Sequence, residues 1–244
     1  MPWRDDTRPY YVLVSELMLQ QTQVSRVAPK FNEFIKRFPD EKTLAQASLS
    51  EVLKAWQGLG YNRRAKYLHE AAKKIVELGS FPKTESELMT LPGVGKNTAG
   101  AILAYSFNQP SIFIETNIRT VYIHHFFNDH FDVDDKFIRE KLEETLDHER
   151  PREFYWALMD YGSQLKASGI KNISQSKHYK KQSALKGSLR EVRGMILREL
   201  SDGDKSHHEL KSYMPADERF EKALSGLMNE RMVQETNGII HLTK

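Results

Sequence analysis

Apolar residues recur at helical spacing along most of this 244-residue chain, beginning with the stretch YYVLVSELMLQQTQV at residues 10–24. Four further segments read as helices: 97–107, 116–128, 134–147 and 151–166. Capping-box sequences mark two more helix starts, Ser48 with Glu51 and Thr84 with Glu87. Strand-like alternation is confined to the last dozen residues. The pattern therefore predicts a mainly α fold.

A basic stretch interrupts this pattern between Ser163 and Arg190. It holds six lysines, one arginine and no acidic residue, with Ser, Gln, Gly and Asn between them. The composition predicts a connector over residues 163–188, and two roles for it stay open. It is either a solvated linker or a contact to the DNA backbone. The candidate backbone contacts are Lys177, Lys180 and Lys181.

Helical spacing returns over residues 189–244, with an amphipathic helix, a short helix capped by Ser206, and a third helix. A hairpin then turns at Asn237-Gly238. Three helices followed by a two-stranded ribbon is the order of a winged helix. The third helix mixes acidic and basic residues, which slightly favours a packing or protein-interaction module over a DNA-binding one. The predicted domains are 1–162, 163–188 and 189–244.

Composition narrows the possible classes of protein. Hydrophobic residues make up 39% and charged residues 28%, enough for a packed core in one large or two small domains. The net charge of +3 permits nucleic acid as a partner without requiring it. The lack of cysteine excludes disulfides, thiolate nucleophiles and cysteine-ligated zinc or iron–sulfur clusters. With no 18-residue apolar run and no signal peptide, we expect an intracellular protein outside the membrane.

The stretch LPGVGKNTAG, residues 91–100, has the small residues of a phosphate-binding loop. A nucleotide P-loop would need glycine at Thr90 and Ser or Thr at Asn97, after a strand instead of a helix. A hairpin between two helices fits better, because Gly93 and Gly95 allow tight turns and the next helix offers free N–H groups to a DNA phosphate. An ordinary helical corner in the core stays the alternative. The predicted DNA-backbone contacts here are Gly93, Val94, Gly95, Lys96 and Thr98.

Six blocks in order carry a resemblance to a known family. They are PWR at 2–4, VSELMLQQTQV at 14–24, GLGYNRRA at 58–65, LPGVGKNTAGAIL at 91–103, NIRTV at 117–121 and FYWALMDYG at 154–162. The chain resembles the helix–hairpin–helix (HhH-GPD) DNA glycosylases, and among them the MutY-like A/G-specific adenine glycosylases. The resemblance implies two helical subdomains with an active site in the cleft between them, followed here by the small winged-helix-like domain.

The resemblance also implies a catalytic set. Glu16 would protonate a purine ring nitrogen and help to position water, and partial desolvation would raise its pKa toward neutrality. Glu115 stands where the family has the aspartate of a D-x-N motif, which stabilises the positive sugar as the glycosidic bond breaks. The longer side chain reaches about one methylene further, and a misplacement of about 1 Å can cost on the order of a hundredfold in rate. Asn117 would hold the water.

Relatives that also cleave the strand, similar to endonuclease III, carry a lysine nucleophile two residues after the second hairpin glycine. That position is Asn97 in this chain, and Lys96 lies one residue away. Since one residue rotates a helical side chain by about 100°, Lys96 does not replace that lysine. We therefore expect an enzyme that removes the base and leaves the strand intact.

The remaining site residues also follow from the resemblance. Gln20 and Tyr61 would enter the duplex and fill the stack that the extruded base leaves. Arg63, with Arg64 and Lys66, would line the DNA backbone. The base pocket would consist of Trp3, Arg4, Leu19, Gln21, Thr22, Asn97 and Trp156.

Three features depart from the family pattern. The four-cysteine iron–sulfur cluster that most members hold after the last block is replaced by the basic stretch. Trp156 stands where the family has the Gln or Glu that pairs with adenine, and an indole donates one hydrogen bond and accepts none. Residues 189–244 are too short for the Nudix-like domain that reads 8-oxoguanine in MutY proteins.

The sequence thus predicts a DNA glycosylase without lyase activity, acting on double-stranded DNA with a mismatch or lesion. Adenine opposite guanine or 8-oxoguanine is the first candidate. Thymine or uracil opposite guanine, and an alkylated or deaminated purine, stay open, as does a non-catalytic DNA-binding protein on the same scaffold. We expect a monomer without metal or other cofactor, in the cytoplasm, and associated with the nucleoid if the source is prokaryotic.

Overall fold

The computed structural model describes all 244 residues and is mainly helical, as the spacing predicts. The helices are α1 Pro2–Asp5, α2 Pro9–Leu19, α3 Val24–Arg37, α4 Glu41–Gln46, α5 Leu49–Ala55, α6 Arg63–Leu78, α7 Glu85–Leu88, α8 Lys96–Phe107, α9 Thr116–Phe126, α10 Asp135–Thr145, α11 Pro151–Ala167, α12 Leu189–Asp202, α13 His207–Ser212 and α14 Arg219–Asn229. A 3₁₀ helix spans Asn172–Gln175, and the strands are β1 Lys205–Ser206, β2 Val233–Thr236 and β3 Ile239–Leu242. None of the helices is both long and apolar enough to cross a membrane.

Helix α2 lies at the centre of the molecule and is apolar on nearly every side. Leu13, Leu17 and Met18 are fully buried, because α3, α6 and α8 all pack against this helix. It ends at Leu19, five residues before the end of the predicted segment. The difference arises because Gln21 takes a left-handed backbone conformation (φ 55°), which turns the chain before α3 begins.

Two helical subdomains meet along the contact between α2 and α8. In one, α6 packs against α4 and α5, and in the other α9 packs against α10, α11 and the 3₁₀ helix. Helix α8 also contacts α11 and so joins both groups. The fold class predicted from the sequence is therefore confirmed, and the cleft lies where the two groups meet.

The C-terminal part has the element order of a winged helix. Its antiparallel sheet has the strand order β1-β3-β2. Ser206 forms a full capping box with Glu209, and the hairpin turns at Asn237-Gly238, where both φ angles are positive. Strand β1 escaped prediction because two residues are too few to show alternation.

The start of the basic stretch is packed, which corrects the picture of a solvated linker. Helix α11 continues to Ala167, so the boundary predicted at Gly162 falls inside a helix. Beyond it, the Asn172 side chain donates to the Thr120 carbonyl at 3.0 Å, and residues 133 and 176 form a parallel bridge. The rest of the division into 1–162, 163–188 and 189–244 stays a prediction.

A polar cluster joins the C-terminal part to α6. The Glu230 carboxylate accepts from Arg63 at 2.5 Å and from Arg193 at 2.7 Å, and the Glu230 carbonyl accepts from Lys66 at 2.6 Å. Arg63 and Lys66 were both expected at the DNA backbone. In this conformation they hold the C-terminal part instead, which supports a packing role for that part.

Candidate active site

Two glutamates from different helices meet in a cleft of about 1200 Å³. Glu16 projects from the last two turns of α2 and is only 9% exposed, while Glu115 occupies the N-cap position of α9. The two carboxyl groups lie close enough for each to shift the pKa of the other. Because two neighbouring buried carboxylates repel each other, the pair favours a state in which one member is protonated.

Different surroundings separate the two carboxyl groups. Burial raises the pKa of Glu16 well above its usual value, and the negative charge and hydrogen bond of Glu115 raise it further. Burial also raises the pKa of Glu115, but the Glu16 hydrogen bond and the cations Arg119 and Lys166 act in the opposite direction. The pKa of Glu115 is still raised on balance, but less strongly than that of Glu16, so Glu16 is the candidate proton donor and Glu115 the candidate carboxylate.

Asn97 is hydrogen-bonded to Ile114, the residue directly before Glu115. Its amide nitrogen donates to the Ile114 carbonyl at 3.0 Å, and its amide oxygen accepts from the Ile114 N–H at 3.3 Å. Helix α8 lies so close to this segment that a Cβ on Gly100 would be 2.9 Å from the Phe113 Cβ. Asn97 lines the cleft as predicted, but its hydrogen-bonding groups face Ile114.

Asn117 is also bound on both sides of its amide. Its nitrogen donates to the Met159 carbonyl at 3.0 Å, and its oxygen accepts from the Lys166 ammonium at 2.5 Å. Helices α9 and α11 touch at this point, since a Cβ on Gly162 would lie 2.4 Å from the Asn117 carbonyl oxygen. One amide hydrogen and one lone pair remain for water, so the water-holding role stays a prediction.

The wall of the cleft combines aromatic rings with an ion pair. Arg4 binds the Asp160 carboxylate at 2.7 and 2.8 Å and lies over the Trp156 ring, 5.4 Å from its centroid. Trp156 in turn stacks on Tyr105 with a centroid distance of 6.4 Å. The predicted pocket residues that line the cleft are Trp3, Arg4, Leu19, Gln21, Thr22, Asn97 and Trp156. Asp160 escaped notice, although it lies one helical turn from Trp156 and so shares its face.

Gln20 and Tyr61, the two predicted intercalating residues, also line this cleft. The Tyr61 hydroxyl accepts hydrogen bonds from Gln182 and Arg190, and the Arg190 guanidinium lies 4.7 Å from the centre of its ring. In the free protein, the basic stretch and the first turn of α12 thus bind the tip of Tyr61. Intercalation of this ring requires these contacts to open.

Arg64 is buried beneath the two turns that carry Gln20 and Tyr61, so its expected place at the DNA backbone is wrong. It is buried and donates to the carbonyls of Met18 at 2.9 Å, Gln20 at 2.6 Å and Gly60 at 3.0 Å. Burial lowers the pKa of Arg64 to about 10, so the guanidinium stays charged at neutral pH. One side chain therefore fixes the turns that carry Gln20 and Tyr61.

The hairpin of residues 91–95 uses its two glycines differently. Gly93 has φ 79°, and a Cβ there would lie 2.8 Å from the Tyr67 Cβ. Gly95 has an ordinary extended conformation and open space around it, so the expected conformational need at Gly95 is wrong. Val94 is buried, and its N–H donates to the Leu91 carbonyl at 3.1 Å, so it offers DNA neither side chain nor amide.

Helix α8 begins at this hairpin with its first N–H groups unpaired. No side chain caps the helix, and the first bond to its N-cap carbonyl runs from Ala99 to Gly95. The amides of Lys96, Asn97 and Thr98 therefore have no helical partner, and the phosphate contact expected here stays a prediction. Lys96 is exposed beside them, 4.0 Å from Glu85.

The three candidate lysines of the basic stretch fall into two groups. Lys180 and Lys181 line the cleft. Lys177 lies outside it and pairs with Asp134 at 3.1 Å. No group of three or more His, Asp or Glu side chains is placed to hold a metal ion, and the expected absence of metal stays a prediction.

These features define a helix–hairpin–helix protein with an acid pair in the cleft between two helical subdomains. Residues 14–148 match the model of the HhH-GPD superfamily base excision DNA repair protein, and the chain belongs to this family. The family membership implied by the six sequence blocks is thus confirmed.

Curated relatives are adenine DNA glycosylases. The protein of Buchnera aphidicola subsp. Baizongia pistaciae is 39% identical over 169 residues, which cover 67% of this chain and 47% of that one. The Mycobacterium tuberculosis protein (strain H37Rv) is 42% identical over 124 residues, with coverage of 50% and 41%. The chain thus spans about half the length, or less, of these relatives.

Solved structures agree on the fold. A thermostable thymine-DNA glycosylase superposes with a TM-score of 0.59 at 26% identity, covering 67% of this chain and 77% of that one. An endonuclease III in a non-covalent DNA complex gives a TM-score of 0.60 at 19% identity, covering 67% and 78%. The second likeness concerns the fold alone.

Proposed function

We propose that the protein is a DNA glycosylase that hydrolyses the N-glycosidic bond of adenine opposite guanine or 8-oxoguanine in base excision repair. The observation that carries this proposal is the pair of Glu16 and Glu115 in the cleft, where Glu16 is buried and its pKa is raised well above its usual value. The similarity to curated adenine DNA glycosylases supports adenine as the base.

Each member of the pair has a distinct task in this reaction. Glu16 donates its proton to a ring nitrogen of the extruded purine, which makes the base a better leaving group. Glu115 faces the sugar as a carboxylate and stabilises the positive charge that develops at C1′. Water then adds to C1′ and loses a proton to the Glu16 carboxylate, which restores the acid, so the products are the free base and an abasic site.

Several surfaces around the cleft support double-stranded DNA as the partner. The free amides at the start of α8 suit one phosphate without reading any base. Gln20 and Tyr61 stand at the cleft as candidates for the space that an extruded base leaves. We infer that the protein acts as a monomer, because one chain holds both carboxyl groups.

A second candidate substrate is thymine or uracil opposite guanine. Two observations favour it: the indole of Trp156 lines the pocket without a group that pairs with adenine, and the fold resembles a thymine-DNA glycosylase. The acid pair suits a purine better, because protonation of a ring nitrogen assists purine departure most directly.

A panel of labelled duplexes tests the proposed function. It contains A opposite G, A opposite 8-oxoguanine, T or U opposite G, and alkylated or deaminated purines, each incubated with the protein and then treated with alkali. We expect strand breaks, which report abasic sites, chiefly at adenine. Breaks chiefly at T or U would favour the second candidate, and their absence from every duplex would leave only a DNA-binding role.

We expect no covalent adduct when borohydride is added to the protein with its normal product. Asn97 occupies the place where lyase relatives have lysine, and its amide is bound to Ile114. The nearby amines are engaged too, Lys96 beside Glu85 and Lys166 on Asn117. Gel electrophoresis of trapped reactions is the measurement. Efficient trapping that disappears in Lys96→Ala or Lys166→Ala would contradict the assignment as a glycosylase without lyase activity.

The double variant Lys180→Ala/Lys181→Ala should bind DNA more weakly and with a flatter salt dependence. Both side chains line the cleft, and the slope of log affinity against log salt changes by about 0.9 for each lost phosphate contact. Anisotropy titrations at several salt concentrations measure both quantities. Lys177→Ala is the matched control, because Lys177 lies outside the cleft and pairs with Asp134. An unchanged slope in the double variant would exclude Lys180 and Lys181 as phosphate contacts.

A further inference from the structure

Lys166 is a cation at the active site that no sequence block singles out. It lies in the last turn of α11, within the basic stretch, and its ammonium group donates to the Asn117 amide oxygen at 2.5 Å. Asn117 is two residues from Glu115, on the first turn of α9. The Lys166 ammonium therefore binds the first turn of the helix that begins at Glu115.

Two cations act on Glu115, and only one of them is neutralised. Arg119 forms a two-point ion pair with Asp135 at 2.7 and 2.6 Å, so much of its charge is offset. Lys166 has no carboxylate within ion-pair distance and instead contacts a neutral amide. Its full charge is available to the carboxyl group of Glu115.

The pKa shifts of Lys166 and Glu115 agree with this geometry. Burial lowers the pKa of Lys166, while the Glu115 charge raises it in return. Lys166 and Arg119 both lower the pKa of Glu115 against the effect of burial. Because burial favours the protonated form of Glu115, a positive charge on this side shifts the pair toward the state in which Glu115 is ionised.

We propose that Lys166 is a positioning residue, whose ammonium group orients the Asn117 amide and supplies the unpaired positive charge that keeps Glu115 as the ionised member of the acid pair. The assignment of charge rests on contacts within the free protein. Its consequence for catalysis rests on the proposed glycosylase function. Since Lys166 belongs to the basic stretch, that stretch contributes to the active site as well as to its rim.

The other charged and titratable groups around the pair come from several elements. Glu16 comes from α2, Tyr105 from α8, Arg119 from α9, and Arg4 from α1, the last bound to Asp160. The basic stretch brings His178, Lys180 and Lys181 to the same cleft. Among the α11 side chains, Lys166 is the one that supplies a positive charge to Glu115.

Titration of the side-chain carboxyl carbons by NMR tests the proposal without any substrate. Protein with ¹³C-labelled glutamate is compared as wild type, Lys166→Met and Lys166→Arg, with Glu16→Gln and Glu115→Gln used to assign the pair. Removing a positive charge disfavours the carboxylate, so Lys166→Met should raise the pKa of Glu115, while Lys166→Arg should restore it. Lys171→Met, in the same stretch but outside the cleft, should leave the pair unchanged.

Single-turnover excision across pH gives the second readout. The low-pH limb follows the ionised fraction of Glu115, so Lys166→Met should lose about tenfold in rate at pH 5 but about twofold at pH 8. Unmoved carboxyl titrations in Lys166→Met, or equal shifts in Lys166→Arg, would overturn the proposal. A shifted titration in a protein that excises no base would instead sustain the role of Lys166 and refute the glycosylase function.

Discussion

Glu16→Gln is expected to lower base excision at least about a thousandfold while leaving DNA binding nearly intact. Glutamine has the shape of glutamic acid, and its amide N–H is able to donate to a neighbouring carboxylate, so the geometry of the cleft should be kept. The amide cannot transfer a proton to the base, and the departing purine would then carry an uncompensated negative charge. Single-turnover assays with alkali treatment measure excision, and fluorescence anisotropy measures binding.

Two variants at Glu115 distinguish the effect of its negative charge from the effect of its side-chain length. Glu115→Gln removes the carboxylate and should also abolish excision, since nothing then stabilises the positive sugar. Glu115→Asp keeps the charge and shortens the side chain by one methylene. A faster Asp variant would mean that the longer chain is a handicap, and a large loss would mean that the cleft is built around glutamate. Full excision by Glu16→Gln would remove the proposed general acid altogether.

Part of the site could be predicted from the sequence because its residues lie in ordered blocks. A glutamate within the apolar run VSELML must be buried with α2, and a buried carboxyl group needs a partner or a chemical task. The N-cap at Ser206 and the Asn237-Gly238 turn depend on neighbours along the chain, and both were predicted correctly. Features that depend on neighbouring residues in this way can be predicted from a single sequence.

Other contributions depend on which helices pack together, and spacing alone does not reveal them. Lys166 contacts Asn117 across 49 residues of sequence, and Arg64 reaches Gln20 across 44. Arg64 was expected at the DNA backbone, and Lys166 was only one of the six lysines of the basic stretch, because most lysines and arginines are exposed. Asn97 is a similar case. Its position in the sequence indicated that the chain lacks the lyase nucleophile there, but it did not reveal the hydrogen bond to Ile114.

The two hairpin glycines should respond oppositely to the same substitution. Gly93→Ala places a methyl group 2.8 Å from the Tyr67 Cβ and puts alanine at φ 79°. Left-handed backbone and overpacking together should cost about 2–4 kcal/mol in the free energy of unfolding. Gly95→Ala meets no atom within 4 Å, and φ is −93°, so it should cost less than about 1 kcal/mol.

For DNA binding the order of the two variants reverses. Among folded molecules, Gly95→Ala should weaken binding more than Gly93→Ala does. The new methyl of Gly95→Ala projects into the open space before the free amides of α8, where we place a phosphate, and should weaken binding by about tenfold whatever the sequence. Urea unfolding and anisotropy titrations on each variant measure the two effects separately. If Gly95→Ala bound DNA as tightly as wild type, the helix start would not be the phosphate site. The hairpin would then be a packing corner, with Gly93 needed only for its fit against Tyr67.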